Sequence, residues 1–396
     1  MGYRWKKTSK GQYVDGHERD DVVWYQQTEF IPTMTALEHH TRAWILTHLD
    51  ELGPLPHQQI VVIWFHDEST FYAHDRRELI WCAPDLKAVP KPKGEGVTIM
   101  IADFVSADYG WLRSRDGIRS ARVVFKAGKA REGFFTNENI VTQAKVEMDI
   151  LEADYTDEKH VFVYDNATTH RKREDDALSA RHMPLNPSGF GKNGNSPNFG
   201  VYKNAIGPDG RTNTIQSLYF SADHGKYPGR FKGMAQILIE RGYGEEAKLP
   251  RECPSFKCPP GSDRCCCRRF LYSQPDFVNE KSILEKVCNM RGFDVIFLPK
   301  FHPELNFIEQ CWGAAKRVYR MYPPSSKEED LENNVTSALD SVDVKVMRHF
   351  ARRAWKFLDG YRQGLDGKQA AWAAKKYRGH RCLPDSILEQ YGQWNS

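Results

Sequence analysis

Three acidic residues lie close behind hydrophobic segments that are far apart in the chain. Asp67 and Asp165 each follow a run of apolar residues, and Glu309 lies shortly beyond a third run. Carboxylates that converge repel one another unless a cation neutralises them, and hard oxygen ligands suit Mg²⁺ or Mn²⁺. Two such ions about 4 Å apart would hold the attacking and leaving oxygens of an in-line phosphoryl transfer. The pattern therefore predicts metal-dependent phosphoryl chemistry without a covalent protein nucleophile.

The apolar runs predict the elements that must position these acids. Residues 60–65, 160–164 and 295–298 are hydrophobic at almost every position, which indicates buried strands that end near the acids. After the third run, Asn306 can cap a helix whose first turn contains Glu309. Open α/β sheets bind their ligands beside the carboxyl ends of the strands. Each acid alone has an ordinary alternative role in a loop or helix cap, so the metal hypothesis depends on their convergence.

Short connections predict that the sheet begins with antiparallel strands. The runs at 60–65, Leu79–Cys82 and Val97–Phe104 are expected to form a meander, because the segments between them are too short for crossover helices. A helix is expected at Glu138–Glu152, before the strand at 160–164. The expected fold is therefore a mixed α/β sheet, with an antiparallel meander plus parallel strands.

The residues around the three acids form distinct blocks, namely His66-Asp67-Glu68-Ser69, the segment from Tyr164 to His170, and the segment from Pro303 to Gly313. In their order, and in their placement on strand, strand and helix, these blocks resemble the signature motifs of mariner-like DDE transposases of the fungal type, which carry a DDE superfamily endonuclease domain. The resemblance implies a ribonuclease-H-like catalytic domain that binds two Mg²⁺ or Mn²⁺ ions. It also implies DNA as the substrate, cleavage and strand transfer at element ends, and a nuclear location.

The resemblance assigns roles residue by residue. The acidic triad corresponds to Asp67, Asp165 and Glu309, and four further residues support the motifs: Asn166, His170, Asn306 and Trp312. Phe307 departs from the family pattern, because proline is common at that position, and the segment between the second and third acids is unusually long. The segment before the first strand is too short for the pair of helix-turn-helix domains with which the family reads element ends. Two interpretations stay open: the chain is a fragment of a longer protein, or it is a remnant that keeps the catalytic domain without its DNA-targeting domains.

The chain is expected to divide into five regions. The resemblance implies that one of them is a large insertion in the catalytic core, because the second and third acids lie much farther apart than in compact members of the family. Within and after the insertion, helices are expected at Lys172–Arg181 and Val278–Met290. The C-terminal region is expected to be a basic helical extension. The predicted boundaries are 1–56 for a basic arm and helices, 57–170 for the first part of the core, 171–274 for the insertion, 275–322 for the second part of the core, and 323–396 for the extension.

Cysteines cluster inside the predicted insertion. The chain has nine, and five of them lie between Cys253 and Cys267. Four thiolates from Cys253, Cys258, Cys265 and Cys266 would suffice for a structural zinc ion. The spacing is not the familiar pair with two intervening residues, and adjacent cysteines rarely both bind one metal with ease. Zinc binding and ordinary reduced thiols therefore both remain open.

Charge indicates where DNA would bind. The formal net charge is only +4, so the distribution of basic residues is more informative than the total. Lys316, Arg317 and Arg320 follow Glu309 on one predicted helix and are candidates for phosphate contact, with a solvated helical face as the alternative. No apolar run is long enough to cross a membrane and no signal-peptide pattern opens the chain, which predicts a soluble intracellular protein. A homodimer is one assembly open to it.

Three functional hypotheses follow. The favoured one is a metal-dependent DNA transposase catalytic domain that cleaves and transfers strands. The second is a nuclease of the same fold without strand transfer, and the third is an inactive or repurposed protein that binds DNA or serves in assembly. The sequence contains no phosphate-binding loop, no serine-hydrolase elbow and no zinc-protease motif. Retention of all three acids argues against the third hypothesis.

Overall fold

The computed structural model describes residues 16–45, 47–75, 94–175, 177–189, 202–205, 214–259, 262–323 and 327–377. The basic arm expected at the N-terminus and the strand expected at Leu79–Cys82 lie outside these residues. The described chain falls into two compact units. Unit 1 comprises Met1–His170 together with Val287–Ser396, and unit 2 comprises Arg171–Lys286.

The described residues form eight strands, most of which belong to unit 1. In chain order they are β1 Val61–Tyr72, β2 Thr98–Ser106, β3 Gly110–Trp111, β4 Val123–Phe125, β5 Lys159–Tyr164, β6 Tyr202–Ala205, β7 Thr214–Ser217 and β8 Asp294–Phe297.

Helices make up most of the remaining regular structure. In chain order they are α1 Asp20–Tyr25, α2 Ile31–Glu38, α3 Asn137–Asp154, α4 Met234–Glu240, α5 Cys267–Tyr272, α6 Pro275–Val278, α7 Ile283–Met290, α8 Ile308–Tyr319, α9 Glu328–Asp340, α10 Val344–Arg362 and α11 Gly367–Lys376. A π-helical turn at Gln26–Phe30 joins α1 to α2. Among the described residues, no helix is both long and apolar enough to span a membrane.

The sheet of unit 1 has the strand order β3-β2-β1-β5-β8, and β4 also pairs with β2. β1, β2 and β3 form an antiparallel meander, whereas β5 lies parallel to both β1 and β8. This mixed order is that of the ribonuclease-H-like fold, as predicted. The third strand of the meander is Gly110–Trp111, which the sequence analysis did not identify, because two residues are too few to leave a periodic signal.

Helices cover both faces of this sheet, which explains why its central strands are hydrophobic at consecutive positions. On one face, Ile63 and Phe65 of β1 share a core with residues of α8, α9 and α10. On the other face, His66 contacts Gln143 of α3, with 3.0 Å between Nε2 and Oε1. The helical C-terminal region predicted beyond residue 322 is present in the described residues, where α9, α10 and α11 all occur.

Unit 2 is built around its own apolar core, to which Leu178, Phe231, Phe270 and Leu271 contribute. The helix predicted at Lys172–Arg181 was wrong, because the described residues of that segment are irregular. Its charged run has no apolar repeat to bury along one side, and Leu178 anchors it to the core instead.

A second helix prediction, at Val278–Met290, was wrong in extent. The segment holds two helices, since α6 ends at Val278 and α7 begins at Ile283. Ser282 explains the break: its backbone N–H and its hydroxyl both donate to Glu285, at 2.8 and 2.7 Å. The amide of Glu285 in turn donates to the Ser282 hydroxyl at 3.2 Å. These reciprocal bonds begin a new helix rather than continue the old one.

Candidate active site

Asp67 and Asp165 stand at the same level on neighbouring strands. β1 and β5 are parallel, Phe65 pairs with Val163, and each acid lies two residues farther along. Asp165 directly follows the end of β5, as predicted, whereas β1 continues through Asp67 to Tyr72. The strand runs on because its antiparallel pairing with β2 extends beyond the last residue of β5. The two carboxylates therefore share one edge of the parallel part of the sheet.

Glu309 approaches this edge from α8, where it occupies the first turn as predicted. One turn later, the indole N–H of Trp312 donates to Oδ2 of Asp67 at 3.0 Å. Residues three apart lie on the same side of a helix, so this bond turns the side that carries Glu309 toward Asp67. The charge of Glu309 accordingly acts on Asp67, and that of Asp165 acts on Glu309.

Electrostatics at this edge show negative charge without full compensation. Burial raises the pKa of Asp67 well above its usual value, and the neighbouring charges of Glu309 and Glu68 raise it further. Desolvation in the crowded cleft also raises the pKa of Glu309, Asp165 adds to the effect, and Lys316 opposes it. Asp67 and Glu309 thus resist ionisation through burial and through neighbouring negative charge, and a divalent cation would offset both effects.

Access to the three acids also suits a metal that must leave coordination positions for a substrate. Asp67 is only 9% exposed, whereas the side chain of Asp165 is 45% exposed and Glu309 is exposed. Mg²⁺ and Mn²⁺ bind through a few carboxylates and complete their shells with water or phosphate oxygens. The donor atoms and their exposure therefore fit the ions that the sequence predicted.

His170 lies between Asp165 and a further carboxylate, that of Glu68. Its Nδ1 contacts Oδ1 of Asp165, and its Nε2 lies 3.2 Å from Oε1 of Glu68. Burial opposes a charged imidazole, yet the hydrogen bonds to both carboxylates prevail and raise the pKa of His170 to about 10. Burial likewise pushes the pKa of Asp165 upward, but the bond from His170 lowers it overall. His170 is therefore a buried cation that fixes the orientation of Asp165.

Glu68 is a part of the site that sequence analysis missed. Burial pushes its pKa upward, but the hydrogen bond from His170 and the nearby His66 lower it overall. As the neighbour of Asp67 on a strand, it points to the opposite face of the sheet, where it reaches His170. The signal was present, because Glu68 directly follows Asp67 in the first motif block and His170 closes the second.

The two motif asparagines connect the segments that carry the acids. The side-chain amide of Asn166 donates to the carbonyl of Leu298, at 3.3 Å. The side-chain amide of Asn306 donates to the backbone carbonyl of His66 at 3.2 Å. The side-chain oxygen of Asn306, Oδ1, is buried without a hydrogen-bond partner. Asn306 was predicted to cap α8, and that prediction was wrong, because a 3₁₀ turn at Pro303–Leu305 shifts the helix start by one residue. Phe307 occupies the N-cap position instead.

The three basic residues predicted to contact DNA differ in their surroundings. Lys316 is half-buried, and its Nζ lies 5.3 Å from the centre of the Phe71 ring. Arg320 forms two hydrogen bonds with the carboxylate of Asp75, at 2.8 and 2.9 Å. Arg317 is exposed to solvent. It is therefore the residue of this set best placed to reach a phosphate.

The four cysteines considered as zinc ligands lie in unit 2, and the structure brings them together. Their Sγ atoms all lie within 4.8 Å of one another. This convergence was not expected from their spacing.

Comparison with solved structures found distant likenesses. A Mos1 transposase paired-end complex with the left transposon end has a TM-score of 0.44 at 9% identity, over 97% of this chain and 69% of that chain. The Mos1 mariner paired-end complex with Mn has a TM-score of 0.44 at 8% identity, over 96% and 68% of the two chains. A pre-cleavage Mos1 transpososome has a TM-score of 0.43 at 9% identity, over 96% and 68%.

These are structures of proteins from the family whose motifs the chain resembles. No protein-family model matches the chain, and no curated protein matches it. Similarity this distant does not by itself assign the chain to the family.

Proposed function

We propose that unit 1 is the catalytic domain of a mariner-like DDE transposase, which cleaves DNA and transfers the resulting strand. The observation that carries the proposal is that Asp67 and Asp165 stand at the same level on neighbouring strands, with Glu309 near enough for its charge to act on Asp67. Burial and these neighbouring charges raise the pKa of Asp67 and of Glu309. Carboxylates arranged in this way are typical ligands for the divalent ions of phosphoryl transfer. The ribonuclease-H-like order of the sheet supports the same reading.

Each residue of the site has a distinct task in this proposal. Asp67, Asp165 and Glu309 would hold Mg²⁺ or Mn²⁺, which when bound supplies Lewis-acid activation of the attacking and leaving oxygens. Trp312 fixes the carboxylate of Asp67 through its indole N–H. His170 fixes Asp165 from the other side. These supporting contacts matter because a metal ligand acts well only when its orientation is held.

DNA is the proposed substrate, and nicking followed by joining is the expected activity. The full chain would be incubated with Mn²⁺, a supercoiled plasmid and a labelled duplex with a free 3′-hydroxyl. A transposase domain should nick the plasmid and also join the labelled 3′ end to it. Nicking without joining would favour the nuclease hypothesis, and binding without either reaction would favour the repurposed protein. Failure both to bind and to cleave would refute the proposal.

A separate prediction concerns Arg317, which we propose contacts the DNA backbone. Arg317→Ala should weaken binding to all DNA sequences alike, because a phosphate contact carries no sequence information. The slope of log affinity against log salt concentration should become shallower by about 0.9, the contribution of one released counterion. Fluorescence anisotropy at several salt concentrations would measure it.

The matched control for this prediction is Lys145→Ala. Lys145 is likewise exposed on a helix, but it lies on α3, which packs against the face of the sheet opposite α8. Its removal should leave the salt slope unchanged. Equal slopes for Arg317→Ala and the wild-type protein would exclude the phosphate contact.

A further inference from the structure

Four cysteines of unit 2 lie close enough together to share one metal ion. The Sγ atoms of Cys253, Cys258, Cys265 and Cys266 all lie within 4.8 Å of one another, and those of Cys258 and Cys266 are 4.0 Å apart. Zinc binds thiolates at about 2.3 Å, so four sulfurs around one tetrahedral ion would be separated by about 3.8 Å. The observed spacing lies close to that value.

The local backbone brings the cysteines to one point. Cys253 precedes a 3₁₀ turn in which Ser255 has a φ of 53°, a left-handed conformation that helps to turn the chain back toward Cys258. Cys266 has an extended backbone at the N-cap of α5, and its Sγ accepts the backbone N–H of Arg269 at 3.4 Å. A sulfur that accepts a backbone N–H is already oriented to bind a metal, because this contact holds the side chain in place.

Cys267, next to Cys266 in the chain, does not join the cluster. Cys267 is fully buried, and its Sγ points toward the carbonyl oxygens of Glu246 and Leu249, at 3.3 and 3.2 Å. It belongs to the apolar core of unit 2 together with Phe270 and Leu271 of the same helix. Of the five cysteines between Cys253 and Cys267, four therefore form the cluster, and Cys267 packs in the core instead.

A disulfide explains the cluster less well. All four residues are free thiols in this structure. A disulfide requires about 2.05 Å between sulfurs, whereas the Sγ atoms of Cys258 and Cys266 lie 4.0 Å apart. A single cation uses all four.

We propose that Cys253, Cys258, Cys265 and Cys266 bind one structural Zn²⁺. The ion would join the 3₁₀ turn at Pro254–Phe256 to the start of α5. Because α5 contributes Phe270 and Leu271 to the core, the same ion would fix the irregular segment against the body of unit 2. A site with four protein ligands leaves no open position, so the role is structural and independent of the chemistry of unit 1.

Metal analysis of the full chain, purified without added zinc, tests the proposal. The wild-type protein should contain about one equivalent of zinc, and replacement with Co²⁺ should give the intense absorption of a tetrahedral thiolate site. Cys265→Ser should lose most of the metal. Cys267→Ser is the matched control, because this neighbouring thiol points away from the cluster, and it should retain the full equivalent.

A titration of the wild-type protein covers the case in which Cys265→Ser fails to fold. A mercurial thiol reagent should release the zinc in step with the modification of four cysteines. Less than half an equivalent of zinc in the wild-type protein would overturn the proposal. Full retention of zinc by Cys265→Ser, or release that does not follow thiol modification, would overturn it as well.

Discussion

Replacing Asp165 with asparagine should lower the rate of Mn²⁺-dependent DNA cleavage by about three orders of magnitude. The substitution keeps the shape of the side chain but removes a charge that would bind the metal, and metal stabilisation of the transition state amounts to several kcal/mol. The side chain is partly exposed and directly follows β5, so the fold should tolerate the change. Single-turnover cleavage of saturating DNA would measure the rate, and anisotropy would show whether binding persists.

Glu309→Gln should have a comparable effect, and α9 offers a matched control. Glu309 and Glu329 are both exposed acids at the second position of a helix, and either could interact favourably with the helix dipole. Only Glu309 senses the charge of Asp165. If Glu309 acts as a metal ligand, Glu329→Gln should cleave at the wild-type rate whereas Glu309→Gln should not. Similar activity of the two variants would mean that Glu309 interacts only with the helix dipole. The proposed function would then lose its main support.

The stability of the metal-free protein gives a second readout for Glu309. A carboxyl group whose pKa is raised on folding contributes stability that is present below its ordinary pKa and is lost as pH rises through the raised value. At neutral pH the ionised Glu309 therefore opposes folding, so Glu309→Gln should raise the melting temperature in EDTA. Added Mn²⁺ should then stabilise the wild-type protein more than the variant, because a ligand stabilises only the state that binds it.

The three acids were proposed as a site from sequence because each comes after a hydrophobic strand, and buried parallel strands leave continuous apolar runs. Short connections correctly predicted antiparallel pairing at the start of the sheet. The predicted order of the meander was wrong, because it placed the strand expected at Leu79–Cys82 between two strands, β1 and β2, that pair directly with each other. The level of Asp67 relative to Asp165 could not be predicted from sequence, because the register is set by pairing between residues about a hundred positions apart. Whether β1 ends or continues at Asp67 depends likewise on its pairing with β2.

Other features depended on side-chain contacts that no periodic pattern reveals. Asn306 is of a residue type that often caps helices, but its side chain donates to the carbonyl of His66, more than two hundred residues away in sequence. For Cys265 and Cys266 the spacing left zinc binding and free thiols both open, and the fold of unit 2 brings both sulfurs to one cluster. Local composition predicted elements and candidate residues, whereas long-range packing decided which of those residues meet.

His170→Gln should lower the free energy of unfolding by about 2 kcal/mol at pH 7 in EDTA. Removing one member of a buried charge cluster costs about 3–5 kcal/mol, and the partial exposure of Asp165 reduces that cost through solvent screening. The variant leaves Asp165 and Glu68 without their shared cation. Urea unfolding would measure the difference, and the cleavage rate should also fall by about 10–100-fold, as for other residues that orient metal ligands.

The pH dependence of this difference separates a charged His170 from a merely well-packed one. Its pKa is raised from 6.5 to about 10, so the extra stability is complete below pH 6.5 and is lost as pH rises toward 10. The nearby His66 stays neutral over this range, because burial lowers its pKa to about 4. The difference between the wild-type protein and His170→Gln should therefore narrow from pH 7 to pH 10. His160→Gln is the control. Burial lowers the pKa of His160, so the difference in unfolding free energy between the wild-type protein and His160→Gln should stay constant from pH 7 to pH 10. A constant difference for His170→Gln as well would contradict a charged His170.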